Sequence, residues 1–264
     1  MPTVAEVTAD LAAEHEDLAT ILDGLAPDQW ALPTPAAGWD VADQVGHLAY
    51  FDRAAAQAIN DPEAFPDHVA TLFEAIASKG MDCTLDEPRA MTPETLATWW
   101  AEGRAMLIEA ASTLGEDTRL PWYGPEMGSK SFLTARLMEA WAHGQDVCDA
   151  VGATRLPTDR LRHIAQLGVI TRGWTYVNRG LEASTAPIRV TLAAPSGGEW
   201  EWGDPDANDE IAGEAVDFCH VVTQRRHVDD TALAVTGSAA REWMELAQAF
   251  AGGPTDGPNA GRFV

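Results

Sequence analysis

Apolar positions recur near a helical period through roughly the first 180 residues, and the pattern then gives way to short alternating runs. Val4, Val7, Leu11, Leu18, Ile21 and Leu22 predict an amphipathic helix over residues 3–25, closed by Asp23-Gly24 and Pro27. A second helix is expected over about 41–59, with Val45, Leu48, Ala49, Phe51 and Ala56 on its inner face and Thr34 or Asp40 as its cap. A turn-rich stretch at 61–68 leads to a shorter helix over about 68–79. Pro93 suits the first turn of the next helix, which ends near Gly115. Residues 119–130 form a loop rich in Gly and Pro that carries the adjacent aromatics Trp122 and Tyr123. Ser131 to about Val151 is a strong helix ended by Gly152, and residues 158–180 predict a further helix closed by Gly180.

Beyond residue 183 the period changes. Ile188 to Leu192 alternates as a strand, and Glu199 to Trp202 reads as a second, with Gly197-Gly198 as the hairpin turn between them. Helices are expected over about 215–225 and 239–250, followed by a mobile or lightly docked tail. The layout is therefore a helical domain over 1–182 and a small α+β domain over 183–264, with no internal repeat.

Composition narrows the classes. The chain has 264 residues, of which 46% are hydrophobic, so it can bury a real core as one large domain or two small ones. Its net charge of -24, from 41 acidic and 17 basic side chains, disfavours nucleic acid and anionic membrane as partners. No apolar run approaches the roughly 20 residues of a membrane span. The first residues lack the basic and apolar regions of a signal peptide. Cys83, Cys148 and Cys219 form no C-x-x-C pair, which suits a reducing compartment. The expectation is a cytoplasmic protein with small-molecule partners.

Glu139 and His143 lie four residues apart in a helical segment, so both side chains fall on one face a turn apart. Two ligands on one helix can share a metal with a third from a facing helix. His47, among Val45, Leu48 and Phe51 on the second helix, is a candidate for that third position. The same residues also suit a surface pair and a hydrogen-bonded core histidine, and spacing by itself leaves these readings open. Asp146 and Asp43 lie within a turn of the two histidines, where a carboxylate can hold a ligand imidazole by its other nitrogen; they also suit solvent-facing positions in an acidic protein. Trp122 and Tyr123 can wall a pocket or anchor their loop. Arg225 and Arg226 can pair with substrate carboxylates or simply complement a helix C-terminus. His15 and His68 have no evident partner, and Cys148 suits a structural thiol better than a nucleophile.

The words around these residues add a second line of inference. Thr34, Pro35, Gly38, Trp39, Val41, Asp43 and His47 resemble the second-helix motif of DinB-like proteins, in particular the mycothiol-dependent maleylpyruvate isomerase branch. The segment from Arg136 through Glu139 and His143 to Asp146 is similar to that branch's E-x-x-x-H-x-x-D helix. Gly213 to Val222, with Thr236-Gly237 and a closing helix, resembles its small sterol-carrier-like C-terminal domain. Ala36 departs from the motif's usual residue, and the stretch matching the family's catalytic arginine reads Gln224-Arg225-Arg226-His227, which leaves the choice of arginine open.

The resemblance implies a mainly α fold, a DinB-like four-helix bundle with a small C-terminal α+β domain. It implies that His47, Glu139 and His143 hold a divalent metal, zinc first, with Ni2+, Fe2+ or Co2+ compatible with the same donors. It also implies mycothiol as a cosubstrate. Three functions then stand in order. The first is a metal- and thiol-dependent isomerase or transferase acting on a small electrophile. The second is a thiol-independent metal-dependent hydrolase, lyase or isomerase. The third is a non-catalytic module that binds a small ligand.

Overall fold

The computed structural model describes residues 2–263, apart from the side chain of Met81. Contacts divide the chain into two units, Met1–Arg155 and Leu156–Val264.

The first unit is a bundle of α1 (Val4–Asp23), α2 (Val41–Asn60), α4 (Pro93–Ala111) and α5 (Ser129–Val151), with α3 (Phe65–Lys79) beside it. A capping box between Thr3 and Glu6 starts α1, and Gly152, left-handed at φ 69°, ends α5. α2 packs on α4 and α5, and α1 on α5. Leu18, Leu22, Trp30, Val41, Val45, Leu48, Leu96, Trp100 and Val147 fill the space between them. Two short strands, β1 (Arg119–Leu120) and β2 (Met127–Gly128), pair antiparallel and fold the Trp122–Tyr123 loop into a hairpin ahead of α5.

Two buried ion pairs cross this core. Arg136 on α5 reaches Asp52 Oδ1 on α2 at 3.0 Å, and Arg155 reaches Glu14 on α1 at 2.8 Å. His15 Nε2 lies 3.4 Å from the other oxygen of Asp52, which supplies the partner that the sequence did not suggest.

The second unit holds α6 (Leu161–Ile170), α7 (Arg172–Asn178), α8 (Ala215–Val222) and α9 (Ser238–Leu246) around a four-stranded sheet. Its strands are β3 (Ile188–Ala193), β4 (Glu199–Trp202), β5 (Asp209–Glu214) and β6 (Ala234–Thr236), in the order β4-β3-β5-β6. β3 and β5 run parallel with Ile188 opposite Asp209, and the other pairs are antiparallel. β3 alternates as expected, with Ile188, Val190 and Leu192 buried. The hairpin turn stands at Gly197 and Gly198, whose φ values of 92° and 93° suit glycine.

Several boundaries move. The expected helix over 158–180 is two helices, because Thr171 leaves the helical region at φ -89°, ψ 6° and its hydroxyl donates back to Leu167 O. α6 packs on α8 so closely that a Cβ on Gly168 would lie 2.9 Å from Val222 Cγ2. That contact draws residues 156–182 into the second unit, so the division falls near residue 155 rather than 182. α8 ends at Val222, short of residue 225, where Gln224 turns left-handed at φ 58°. α9 ends at Leu246 because Ala249 N–H donates to Val222 O. The tail is docked: the Asp230 carboxylate accepts the Gly261 and Phe263 N–H groups, and Arg179 pairs with Asp256. No helix among the described residues is long and apolar enough to cross a membrane.

Candidate metal centre

Asp40 starts α2 by accepting the Asp43 N–H at 2.9 Å, and Val41 N–H reaches back to Leu32 O. This folds residues 32–40 onto the first turns of α2. Trp39 then lies against His47 with ring centroids 5.3 Å apart, and Thr34 lies beside Gln44. Gly46 lets the 88–90 turn approach, since a Cβ there would stand 2.6 Å from Pro88 Cβ.

α5 places Glu139 and His143 opposite this turn. Glu139 Oε2 lies 3.0 Å from His143 Nε2 and 3.5 Å from His47 Nε2, and one donor atom from each residue falls within 4.8 Å of the others. The two imidazole centroids are 4.4 Å apart. The side chains of His47, Glu139 and His143 are 19%, 22% and 12% exposed, so the cluster is sheltered and still reachable.

The hydrogen bonds around it fix where protons sit. The Thr34 hydroxyl donates its single hydrogen to Trp39 O at 2.9 Å, so its oxygen accepts from Gln44 Nε2 at 2.8 Å. Gln44 Oε1 is thereby turned to His143 Nδ1, 2.5 Å away, and that nitrogen must carry the proton. Nε2 then faces a Glu139 carboxylate oxygen, where a neutral ring offers a lone pair and a protonated ring donates. Two acceptors at this distance need positive charge between them, as a proton or as a cation. Two imidazole nitrogens and one carboxylate oxygen are a donor set that suits zinc and its neighbours. Burial by itself would raise the Glu139 carboxyl; hydrogen bonds from His143 and His47 and their charge overcome this and hold it well below the usual carboxylate range.

Aromatic rings flank the cluster. Trp39 stacks near-parallel to His143 at 6.0 Å, and Phe51 lies 4.6 Å from His47. Phe51 continues into a group formed by Tyr50, Phe65, His68, Trp122 and Tyr123. Trp122 lies parallel to Phe65 at 5.6 Å, and Tyr123 Oη lies 2.7 Å from His68 Nε2. The Trp122–Tyr123 loop is therefore anchored, and it borders the rings beside His47.

Other expectations fare differently. Asp43 takes Arg89 through both oxygens, at 2.8 and 2.9 Å, so it fastens the 81–90 segment to α2 in place of holding a histidine. Asp146 is buried on α5, and the His143 nitrogen it was expected to hold faces Gln44. Gln44 lies one turn before His47 on α2, but its partner is His143 on α5, which nothing in the local sequence signals. Arg225 and Arg226 belong to the second unit, where they donate to Thr223 O and Arg225 O, and Arg226 also covers the Phe263 ring at 4.0 Å. Burial pushes the Cys148 and Cys219 thiols up, as befits structural cysteines.

Comparison with known proteins adds an independent line. Two solved structures of mycothiol-dependent maleylpyruvate isomerase, the enzyme and a mutant of it, superpose with TM-scores of 0.58 and 0.57 at 17% and 16% identity, covering 91% of this chain and 94% of theirs. They establish the shared fold. Two uncharacterized proteins from Mycobacterium tuberculosis strains H37Rv and CDC 1551 are each 43% identical over 249 residues, 94% of this chain and 96% of theirs. The family model described as the mycothiol maleylpyruvate isomerase N-terminal domain matches residues 11–148, a span that takes in the whole His47, Glu139 and His143 cluster. On that match the chain belongs to the mycothiol maleylpyruvate isomerase family.

Proposed function

We propose that this protein is a metal-dependent enzyme that uses a low-molecular-weight thiol to isomerise, or to transfer sulfur to, a small electrophilic substrate. The observation that carries the reading is the convergence of His47 Nε2, His143 Nε2 and Glu139 Oε2 with the Gln44 relay behind them. The thiol comes from the solved relatives, which are described as mycothiol-dependent.

His47, Glu139 and His143 would hold the ion, with zinc the first choice. When bound, the ion supplies a Lewis acid that leaves one net positive charge after the carboxylate and lowers the pKa of a thiol that reaches it. The chain's own residues set the conditions. Gln44 keeps the His143 proton on Nδ1 and so leaves Nε2 free to donate its lone pair. Trp39 and Phe51 exclude water from two sides and lower the local dielectric.

Gln44→Leu is expected to weaken zinc binding by roughly 10–100-fold, the usual effect of removing a group that orients a ligand histidine. Competition with a chromogenic chelator measures it, and an unchanged affinity would remove Gln44 from the account. The function is tested by calorimetric titration of the zinc-loaded protein with mycothiol. Saturable binding that disappears on His47→Ala is expected. Metal-dependent turnover with no thiol binding at millimolar concentration would instead favour a thiol-independent hydrolase, lyase or isomerase.

A further inference from the structure

A cleft of about 470 Å³ opens between α1 and α4, on different helices from those that carry the metal-site candidates. Ala12, Ala101, Ala105 and Ile108 wall it, and His15, with 1% of its side chain exposed, forms its floor. Glu16 and Arg104 meet across the mouth at 2.8 Å. The fold leaves polar atoms of the floor unsatisfied. His15 Nε2 faces Asp52 Oδ2 at 3.4 Å, and that carboxylate, paired with Arg136, can only accept. Burial holds the His15 pKa below its ordinary value, so the ring is neutral near pH 7 and has a single N–H. The proton belongs on Nε2, and Nδ1 is a lone pair with no donor among the described residues. Trp100 lies edge-on to His15, with ring centroids 5.9 Å apart, and its indole N–H has no acceptor among them either. Buried polar atoms are nearly always paired, so a free acceptor next to a free donor calls for a partner from outside the chain.

We propose that this cleft is a second ligand site, which takes a small, uncharged molecule with an aliphatic body and one hydroxyl group. A hydroxyl has one hydrogen and two lone pairs, so it can donate to His15 Nδ1 and accept the Trp100 N–H. The walls select the rest of the ligand, because alanine and isoleucine side chains offer apolar contact and no further polar group. The volume lies within the range of small-molecule sites. Charge disfavours the other classes. The Glu16 and Glu109 carboxylates repel an anion, and the Arg104 guanidinium, 4.9 Å over the Trp100 ring, repels a cation near the floor. Entry requires Arg104 and Glu16 to part. Their side chains are 21% and 69% exposed, and an ion pair so placed is weak, so the mouth opens at small cost. The site stands apart from the thiol-dependent reading and does not rest on it.

The test uses the full chain with heavy-nitrogen-labelled histidines, and cyclohexanol as the probe. Long-range nitrogen–proton correlation spectra report which ring nitrogen carries the proton, and the signal lost in His15→Gln identifies His15. In the free protein the proton is expected on Nε2. Cyclohexanol at millimolar concentration is expected to move the Nδ1 resonance saturably, toward that of a hydrogen-bonded nitrogen, while the His47 and His143 signals stay in place. Cyclohexyl methyl ether accepts but cannot donate; it is expected to bind about tenfold more weakly, the loss of one hydrogen bond, and to leave Nδ1 unmoved. Ala105→Leu, a change at an exposed position that narrows the cleft and leaves His15 intact, should weaken cyclohexanol binding by about tenfold. A proton on Nδ1, equal binding of the ether, or undiminished binding by Ala105→Leu would overturn the proposal. So would an unmoved resonance at millimolar alcohol, which would mean that water alone meets these atoms.

Discussion

Arg136→Ala is expected to destabilise the first unit by roughly 3–5 kcal/mol, the usual consequence of leaving one member of a buried ion pair alone. Asp52 is fully buried, and Arg136 is the cation that reaches it, with Nη2 at 3.0 Å and Nε at 3.4 Å from Oδ1. His15 stands 3.4 Å from Oδ2 and does not replace that charge. Burial lowers the His15 pKa more than Asp52 raises it, so the ring is neutral. The uncompensated carboxylate must then take up a proton or draw water into the core. For a unit of this size the melting temperature should fall on the order of 10 °C, read by scanning calorimetry. The paired change Asp52→Leu with Arg136→Met should recover most of the loss, because it removes both charges. Unchanged melting of Arg136→Ala would mean that Asp52 is solvated. The pair also bears on the site: Asp52 follows His47 by five residues on α2, and Arg136 precedes Glu139 by three on α5. It therefore ties together the two helices that present the metal-site side chains.

How much of this was readable in the chain depends on the range of the interactions. Helices α1, α2, α4 and α5 were legible because their apolar period and their caps are local: Gly152 after α5 and Asp40 before α2 act within a few residues. The pairing of β3 with β5 was not, since its partners lie about twenty residues apart with β4 between them, and the short β5 segment has little alternation of its own. The break at Thr171 and the transfer of α6 to the second unit come from packing against α8, which periodicity along one helix does not encode.

At the site, Glu139 and His143 share a helix and so announced their common face, whereas His47 was joined to them by resemblance. Gln44 was missed because a glutamine on an apolar helix looks the same whether it faces water or a histidine ring 99 positions away. Asp43 misled for a similar reason: its neighbour in sequence is His47, and its partner in space is Arg89. His68 gave no sign of Tyr123, 55 residues further on, until the hairpin brought the two together.

The second large effect concerns the three side chains themselves. Removing His143 deletes the ring whose proton Gln44 holds on Nδ1, and removing His47 leaves both remaining donors on one helix. Either change takes away a direct donor, so the loss of zinc affinity should exceed the roughly 10–100-fold associated with groups that merely orient a ligand. The decisive measurement is the zinc content of the wild-type, His47→Ala and His143→Ala proteins after loading and exhaustive dialysis against a weak chelator. The wild type is predicted to retain one ion per chain, and both variants to retain none while keeping their helical circular dichroism. Retention of zinc by the variants at the wild-type level, or a wild-type protein that holds no divalent ion under any loading condition, would contradict a metal centre at these residues.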